Sequence, residues 1–204
     1  MFHIGSLIQT LAKGGPVMIP LVICSVVALA VVVERLGFWW RQGDVGPAEH
    51  ALELAERGKL DEALEVARRS RTATARVIAA GLAERQAPPA AAMEAAAQTE
   101  MSRLRSYLPV LDTIITLSPL LGLLGTVTGM IAAFGILSTS GMNQPNAITG
   151  GVAEALIATA AGLAIAIATL VPYNYFQARA EQALDAIERL ASRLDLALRE
   201  QQIP

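Results

Sequence analysis

The sequence predicts an all-α integral membrane protein with three transmembrane helices. Hydrophobic residues make up 53% of the 204 residues and charged residues only 17%, against roughly 25% in ordinary soluble domains. Three segments, 14–36, 109–137 and 148–176, satisfy the length of about 17–25 apolar residues that a membrane-crossing helix needs. Only helices and closed barrels can cross lipid, and the strand-like alternation of a barrel is absent from these segments.

The distribution of Lys and Arg predicts the orientation of these helices. Fifteen of the sixteen basic residues lie between Arg35 and Arg105 or in the tail 177–204, and only Lys13 precedes the first span. The predicted loop at 138–147 has none. Because basic residues accumulate in cytoplasmic segments, we expect the N-terminus outside, and both the segment 37–108 and the tail in the cytoplasm.

Two features flank the first span. Residues 1–13 form an amphipathic pattern, which predicts an extracytoplasmic segment along the outer membrane interface, and Gly14-Gly15-Pro16 should break it. At the other end, Trp39 and Trp40 fall where the span meets the cytoplasmic interface, and aromatic belts are the ordinary explanation for such residues.

The cytoplasmic segment should be helical. Helical patterns cover 47–57, 60–71 and 74–84, and Gly58 suits the left-handed position that closes the first of them. From Ala90 a helical pattern runs into the second span, with Pro109 and Pro119 expected to kink it.

The third span also continues as a helix into the tail, where apolar residues recur at steps of three and four. These are Leu184, Ile187, Ala191, Leu194 and Leu198. The second and third helices are therefore expected to extend into a cytoplasmic bundle.

Small residues mark the packing faces of the second and third spans. Ser118, Gly122, Gly125, Gly129 and Ala132 step along one helical face, and Gly162 lies in an alanine-rich stretch of the third span. Lipid gives no hydrophobic drive for helices to associate, so small faces that allow close contact are favoured. We predict that Gly122, Gly125, Gly129 and Gly162 are helix-packing residues.

Glu154 is the only acidic or basic residue between Asp112 and Arg179. A carboxyl inside a membrane span costs about 2.5–3.5 kcal/mol on insertion scales and normally faces protein or a water path. Two interpretations follow. Glu154 is either a neutral acid that bonds a neighbouring helix, since desolvation raises a carboxyl pKa, or it lines a path for protons or small cations.

Threonines are the other polar groups of these spans: Thr126 and Thr128 in the second, Thr159 and Thr169 in the third. The ordinary role of a membrane threonine is to bond back to a carbonyl of its own helix. In the functional interpretation, one or two of them line the path beside Glu154.

The strings GVAEALIATAAGLA (151–164) and LLGTVTGM (123–130) resemble the proton-channel family of MotA, TolQ and ExbB, and most closely its ExbB and TolQ branch. The three-helix layout fits nearly the whole chain. By position, Glu154 matches the family's third-helix glutamate, and Thr126 and Thr159 match its two lumen threonines. Gly150, Thr128 and Pro172 depart from the family's usual pattern around these motifs.

The resemblance implies a homopentamer around a dimeric single-span partner of the ExbD or TolR kind, which supplies a membrane aspartate. It implies proton translocation in a bacterial cytoplasmic (inner) membrane, with work delivered through a TonB-like or TolA-like protein. Membrane lipids would surround the assembly. The residues leave open whether sodium could replace the proton.

Three alternatives stand beside this interpretation: a passive scaffold in which Glu154 only pins helix packing, a flagellar-stator-type channel subunit, and a small-solute transporter. Inverted repeats would favour the transporter, and the sequence has none. We expect no enzyme and no cofactor, since no metal-ligand cluster, phosphate loop or nucleophile–base pair is present. No basic, aromatic-interleaved patch suggests nucleic acid.

Overall fold

A computed structural model describes residues 14–84, 88–140 and 145–200, with side chains for all of these except 137–140 and 145–148. The described residues contain seven α-helices and no strand. They are α1 Met18–Gln42, α2 Gly46–Glu56, α3 Leu60–Arg69, α4 Ala73–Ala83, α5 Pro89–Leu104, α6 Leu108–Ser140 and α7 Pro145–Glu200. Three of the helical stretches, in α1, α6 and α7, are long and apolar enough to cross a membrane. The predicted all-α fold with three membrane helices is therefore confirmed.

The chain divides into two compact units. The first contains the chain up to Val33 together with Tyr107–Asn174, and we call it the membrane unit. The second contains Glu34–Ser106 and the chain from Tyr175 onward, and we call it the helical unit. Helices α1 and α7 contribute to both, because each runs on without interruption beyond its apolar stretch.

Local sequence sets the boundaries of the short helices. Gly58 has φ +78° and ends α2, with the amides of Gly58 and Lys59 donating to the carbonyls of Ala55 and Leu54. This is the Schellman pattern, which suits glycine because it has no Cβ. Helix α4 is capped by Thr72, whose Oγ1 accepts from the Ala75 amide at 3.2 Å.

The second span departs from the predicted uninterrupted helix. The path from Pro89 to Ser140 is helical except at Arg105–Tyr107, where Tyr107 has φ 63°. Pro109 has no amide to donate to the carbonyl four residues earlier, and its ring would crowd that carbonyl. The chain therefore ends α5 at Leu104 and starts a new helix in which Pro109 occupies the tolerated first turn. Pro119 and Pro172 lie inside continuous helices.

The predicted segments 138–147 and 1–13 compare differently with the structure. Helix α6 runs to Ser140 and α7 begins at Pro145, so helical backbone extends into the segment 138–147 that the sequence predicts as a loop. The predicted amphipathic segment 1–13 lies outside the described residues.

The helical unit is held by an apolar core and a buried ion cluster. Three side chains of the predicted tail stripe are buried, with Leu194 fully buried, Ile187 3% exposed and Leu198 8% exposed, and Leu190, which was not in that stripe, is 1% exposed. The Glu100 carboxylate, 3% exposed, accepts from Arg76 Nε at 2.8 Å and from the Arg103 guanidinium at 3.0 Å. This cluster connects α4 to α5.

We expect Glu100→Ala to lower the free energy of unfolding by about 2–3 kcal/mol. The value lies below the ~3–5 kcal/mol of a fully buried pair, because the Arg76 and Arg103 side chains are 36% and 57% exposed and can be hydrated. Thermal or SDS-driven unfolding in detergent micelles measures the change. Glu94→Ala, an exposed site on the same helix, should stay within about 0.5 kcal/mol, and equal losses in both variants would contradict the role given to the cluster.

Candidate functional site: a carboxyl among closely packed membrane helices

Helices α6 and α7 meet backbone to backbone in the membrane unit. A Cβ added to Gly122 would lie 3.0 Å from the Thr159 Cα, and one added to Gly129 would lie 3.0 Å from the Gly151 carbonyl oxygen. A Cβ on Gly162 would overlap the Ser118 carbonyl oxygen and lie 3.2 Å from the Gly122 Cα. Only glycine permits this separation, which is the close approach that small-residue faces allow in membranes.

Gly125 completes the set of four glycines that the sequence places on packing faces. A Cβ there would lie 2.5 Å from the Ala158 Cβ and 3.7 Å from Val17, which directly precedes α1. Ala158 itself is fully buried in a cluster with Val17, Met18 and Leu21. The four glycines therefore all lie where α6 meets α7, and Gly125 also lies near the start of α1.

Thr159 makes a contact that the other threonines do not. Its Oγ1 donates to the Gly122 carbonyl of α6 at 2.9 Å. This bond joins two helices within the stretch where their backbones approach closely. In a regular α-helix the Thr126 amide also donates to the Gly122 carbonyl, so Thr126 and Thr159 are linked through one carbonyl group.

Thr126, Thr128 and Thr169 bond within their own helices. Thr126 Oγ1 donates to the Leu123 carbonyl at 2.6 Å, Thr128 Oγ1 to the Leu124 carbonyl at 3.0 Å, and Thr169 Oγ1 to the Ile165 carbonyl at 2.8 Å. These are the back-bonds expected of threonine in a membrane helix. Thr126 also borders an open groove on α6, of about 540 Å³, whose other lining residues are Val127, Met130, Ile131 and Phe134.

Glu154 faces a different neighbour. Its half-buried side chain lies against Gly15, just before the start of α1. Gly15 has φ +74°, and a Cβ added there would overlap the Glu154 Oε1 and lie 2.8 Å from its carboxyl carbon. Among the described residues, no side chain bonds to the Glu154 carboxyl. The carboxyl thus rests on backbone that only glycine can place so close.

Of the three predicted site residues, only Thr159 bonds across the α6–α7 contact, because the Thr126 hydroxyl bonds within α6 and Glu154 lies against Gly15. On α7, Gly151, Ala155, Ala158, Thr159 and Gly162 form the face toward α6. Glu154 lies on the neighbouring face with Ile157, whose side chain is 3.2 Å from the position of a Cβ on Gly14. One titratable group and one hydroxyl thus lie on two neighbouring faces of the same stretch of α7.

Two residues of this region were missed as site residues by the sequence interpretation. Gly15 was assigned only to a helix break, although a glycine pair before a proline is also a signal for close backbone approach. Ser118 was placed on the packing face, where it is fully buried, but its Oγ has no hydrogen-bond partner among the described residues. Nothing in the sequence distinguishes that serine from one bonded to its own helix.

This geometry places one half-buried carboxyl, a group that can bind and release a proton, on the face of α7 next to its close contact with α6. The described residues contain no cluster of His, Cys, Asp or Glu that could hold a metal ion. The fold thus defines the class: a multi-pass membrane protein with one carboxyl inside its apolar helical region.

Comparison with known proteins identifies the family. The model of the MotA/TolQ/ExbB proton channel family matches residues 69–189, more than half of the chain. The chain belongs to this family. It is 39% identical over 204 residues to a putative biopolymer transport protein ExbB-like 1 of Synechocystis. The matched region covers 95% of this chain and 80% of that protein.

Two further relatives represent the two named branches. The biopolymer transport protein exbB1 of Vibrio cholerae is 32% identical over 188 residues, covering 88% of this chain and 82% of its own length. The Tol-Pal system protein TolQ of Pseudomonas aeruginosa is 42% identical over 95 residues, covering 47% and 41%. These relatives support the assignment to the ExbB and TolQ branch.

Proposed function

We propose that this chain is the ion-conducting subunit of an ExbB–ExbD or TolQ–TolR type complex, which converts proton motive force into mechanical work on a partner that energises envelope processes. It resides in the bacterial cytoplasmic (inner) membrane with its N-terminus outside. The observation that carries this proposal is Glu154, a solitary membrane carboxyl held against the Gly15 backbone beside the closely packed α6 and α7.

The transmembrane potential is large enough for one proton-binding carboxyl to bias a conformational step. A transmembrane potential contributes about 2.3 kcal/mol per elementary charge per 100 mV, which is several times the thermal energy. A proton that binds and leaves one carboxyl can therefore bias a conformational step, provided that the path is closed to bulk water. The glycine-mediated contacts of α6 and α7 supply that closure.

A partner is required because one carboxyl does not make a continuous path. The Thr159 hydroxyl bonds to the Gly122 carbonyl and the Thr126 hydroxyl to the Leu123 carbonyl, whereas the Glu154 carboxyl lies on another face of α7. We propose that a homopentamer surrounds a dimeric single-span partner whose membrane aspartate completes the relay. The open α6 groove beside Thr126 is apolar, as expected of a surface covered by another membrane helix.

Proton flux into liposomes that contain the complex tests the role of Glu154. Glu154→Gln keeps the shape and hydrogen-bonding capacity of the side chain but cannot ionise, so we expect partner-dependent flux to fall to the background of empty liposomes. Glu188→Gln, on the exposed tail of α7, is the matched control and should retain full flux. Intact complexes with unchanged flux in Glu154→Gln would refute the proposal.

Thr159 and Thr128 form a second matched pair. Thr159→Ala removes the interhelical bond to Gly122, so we expect lower flux and a loss of about 0.5–1.5 kcal/mol of stability, the usual range for one hydrogen bond. Thr128→Ala removes only a back-bond within α6 and should change neither quantity measurably. The same flux assay measures the proton flux, and SDS-driven unfolding measures the stability. Equal flux and equal stability in the two variants would assign no special role to the Thr159 bond.

The passive scaffold is the second candidate, favoured by the close packing around Glu154. A scaffold survives Glu154→Gln because the glutamine fills the same space and keeps the hydrogen-bonding shape of the side chain. Retained assembly with lost flux would exclude it. Replacement of the proton gradient by a sodium gradient in the same liposomes distinguishes the two ions.

A further inference from the structure

A groove in the helical unit lies between α5 and the tail of α7. Its volume is about 400 Å³, and all of its lining residues belong to these two helices. The lining positions on α5 fall at i, i+3, i+4, i+7 and i+11 from Ala90, and those on α7 at i, i+3, i+4, i+7, i+8 and i+11 from Leu184. Each set is one face of a helix. At 1.5 Å per residue the groove is about 16 Å long, or about three helical turns.

The floor of this groove is apolar and is only partly covered by the chain itself. Met93 and Ile187 are each 3% exposed, whereas Met101 is 40% exposed. Leu184 and Ala191, two members of the predicted tail stripe, are half-buried in the lining. The apolar stripe of the tail is therefore wider than the helices of this unit cover. Methionine side chains adapt their shape to a partner, which suits such a surface for binding.

The charged side chains that line the groove are all acidic. They are Glu94, Glu188 and Asp195. Asp195 Oδ2 lies 2.8 Å from the Arg199 Nε, so its charge is paired. Glu94 and Glu188 are exposed, and within the described part of the chain neither forms an ion pair. Two unpaired carboxylates, one on each helix, thus flank an apolar strip that no basic side chain lines.

The described helices of the helical unit offer no face that matches this groove in a second copy. Their exposed large hydrophobic residues are spread over three helices, with no more than two on any one of them: Leu36, Trp40, Met101, Tyr175 and Leu196. The basic last turn of α3 has no free apolar stripe, because Ala63 and Ala67 are fully buried. An apolar stripe flanked by basic residues must therefore come from another protein.

We propose that this groove docks a basic amphipathic helix of another protein. Its apolar residues lie along the strip between α5 and α7, as in other complexes that seat a helix in a groove. Its Lys or Arg side chains pair with Glu94 and Glu188, and this charge complementarity sets its specificity and speeds its association. The docked helix takes no part in ion conduction, so substitution of Glu188 leaves proton flux in liposomes unchanged.

A fluorophore placed in the groove reports its occupancy directly. Ser192 lines the groove and is exposed, and Cys24 is the only cysteine of the chain. Cys24→Ser combined with Ser192→Cys therefore leaves one thiol, which carries an environment-sensitive label on the full-length protein in neutral detergent micelles. Quenching of the label by acrylamide, before any peptide is added, measures whether the groove is open.

The probe is a peptide of about twelve residues, the length of three turns, with leucine along one helical face and lysine on both flanks. We expect a saturable blue shift of the label and weaker quenching by acrylamide. A peptide of the same composition, ordered without a helical period, should produce neither change. Because the label reports only on the groove, partition of the peptide into the micelle does not mimic docking.

Two double variants with the same change in net charge test the role of the acidic flanks. Glu94→Gln with Glu188→Gln should weaken peptide binding by about three- to tenfold, since two exposed charge pairs are lost. Glu49→Gln with Asp185→Asn changes exposed sites outside the groove and should leave the affinity unchanged. Ala97→Phe places a ring in the groove and should abolish the shift.

Four results would overturn the proposal. The first is the absence of a saturable shift with the amphipathic peptide. The second is equal binding of the peptide without a helical period, because attraction would then depend on charge alone. The third is an equal loss of affinity in the two double variants. The fourth is a label that is already shielded from acrylamide before peptide is added, which would show that a second copy of this chain covers the groove.

Discussion

Substitution of Gly15 by alanine is expected to reduce partner-dependent proton flux by roughly tenfold or more, although no ionisable group is changed. The added Cβ would overlap the Glu154 Oε1, so the carboxyl must move away from its present position. In reactions that depend on positioning, a displacement of about 1 Å can cost roughly 100-fold. The liposome flux assay measures the effect, and the infrared band of the Glu154 carboxyl, identified by its loss in Glu154→Gln, reports the displacement directly.

A matched variant separates this displacement from backbone strain. Gly15 has φ +74°, where any L-residue is strained, at a cost of about 1–2 kcal/mol. Gly58 has φ +78° and nothing within 4 Å of its added Cβ. Gly58→Ala should therefore show the same loss of stability with normal flux and an unshifted infrared band. A flux loss of similar size in both variants would mean that Gly15 acts only through the stability of its turn.

Gly162→Ala is expected to cause the largest loss of stability of any single methyl group added to the membrane unit. Its Cβ would overlap the Ser118 carbonyl oxygen, which belongs to backbone and cannot rotate aside. Overpacking usually costs about 1–3 kcal/mol, and we expect the upper end of that range because two helices must separate. SDS-driven unfolding in mixed micelles measures the change.

Gly150→Ala is the control on the same helix. It has nothing within 4 Å of its added Cβ, and alanine is favoured over glycine in a helix by about 0.5–1 kcal/mol. It should therefore leave stability unchanged or raise it. A destabilisation as large as that of Gly162→Ala would show that the α6–α7 contact does not distinguish the two positions.

The interruption at Arg105–Tyr107 illustrates where sequence patterns stop being informative. Hydrophobic periodicity predicts one helix through Pro109, because proline is tolerated in membrane helices when neighbours satisfy the freed backbone groups. The same residue is equally compatible with the first turn of a new helix. The local pattern does not choose between the two, and the chain takes the second.

The two adjacent tryptophans also differ in a way that the sequence pattern does not predict. Both match an aromatic belt, yet Trp40 is 91% exposed and Trp39 is 7% exposed. Neighbouring positions on a helix point about 100° apart, as 3.6 residues per turn requires. A composition-based prediction treats them alike, whereas burial against α4 and the tail of α7 separates them.

The sequence alone determined the class of this protein, its three apolar helices, its helical tail and its family. These follow from local quantities, since bilayer thickness fixes the length of a span and an isolated carboxyl in that span is costly wherever it faces. Tertiary structure alone decided the partner of each polar group. Thr126 and Thr159 have the same side chain in similar apolar surroundings, but only Thr159 reaches another helix. Glu154 meets Gly15 across 139 positions of sequence, because the rotation of each helix about its axis is set by its neighbours and by no short stretch of its own residues.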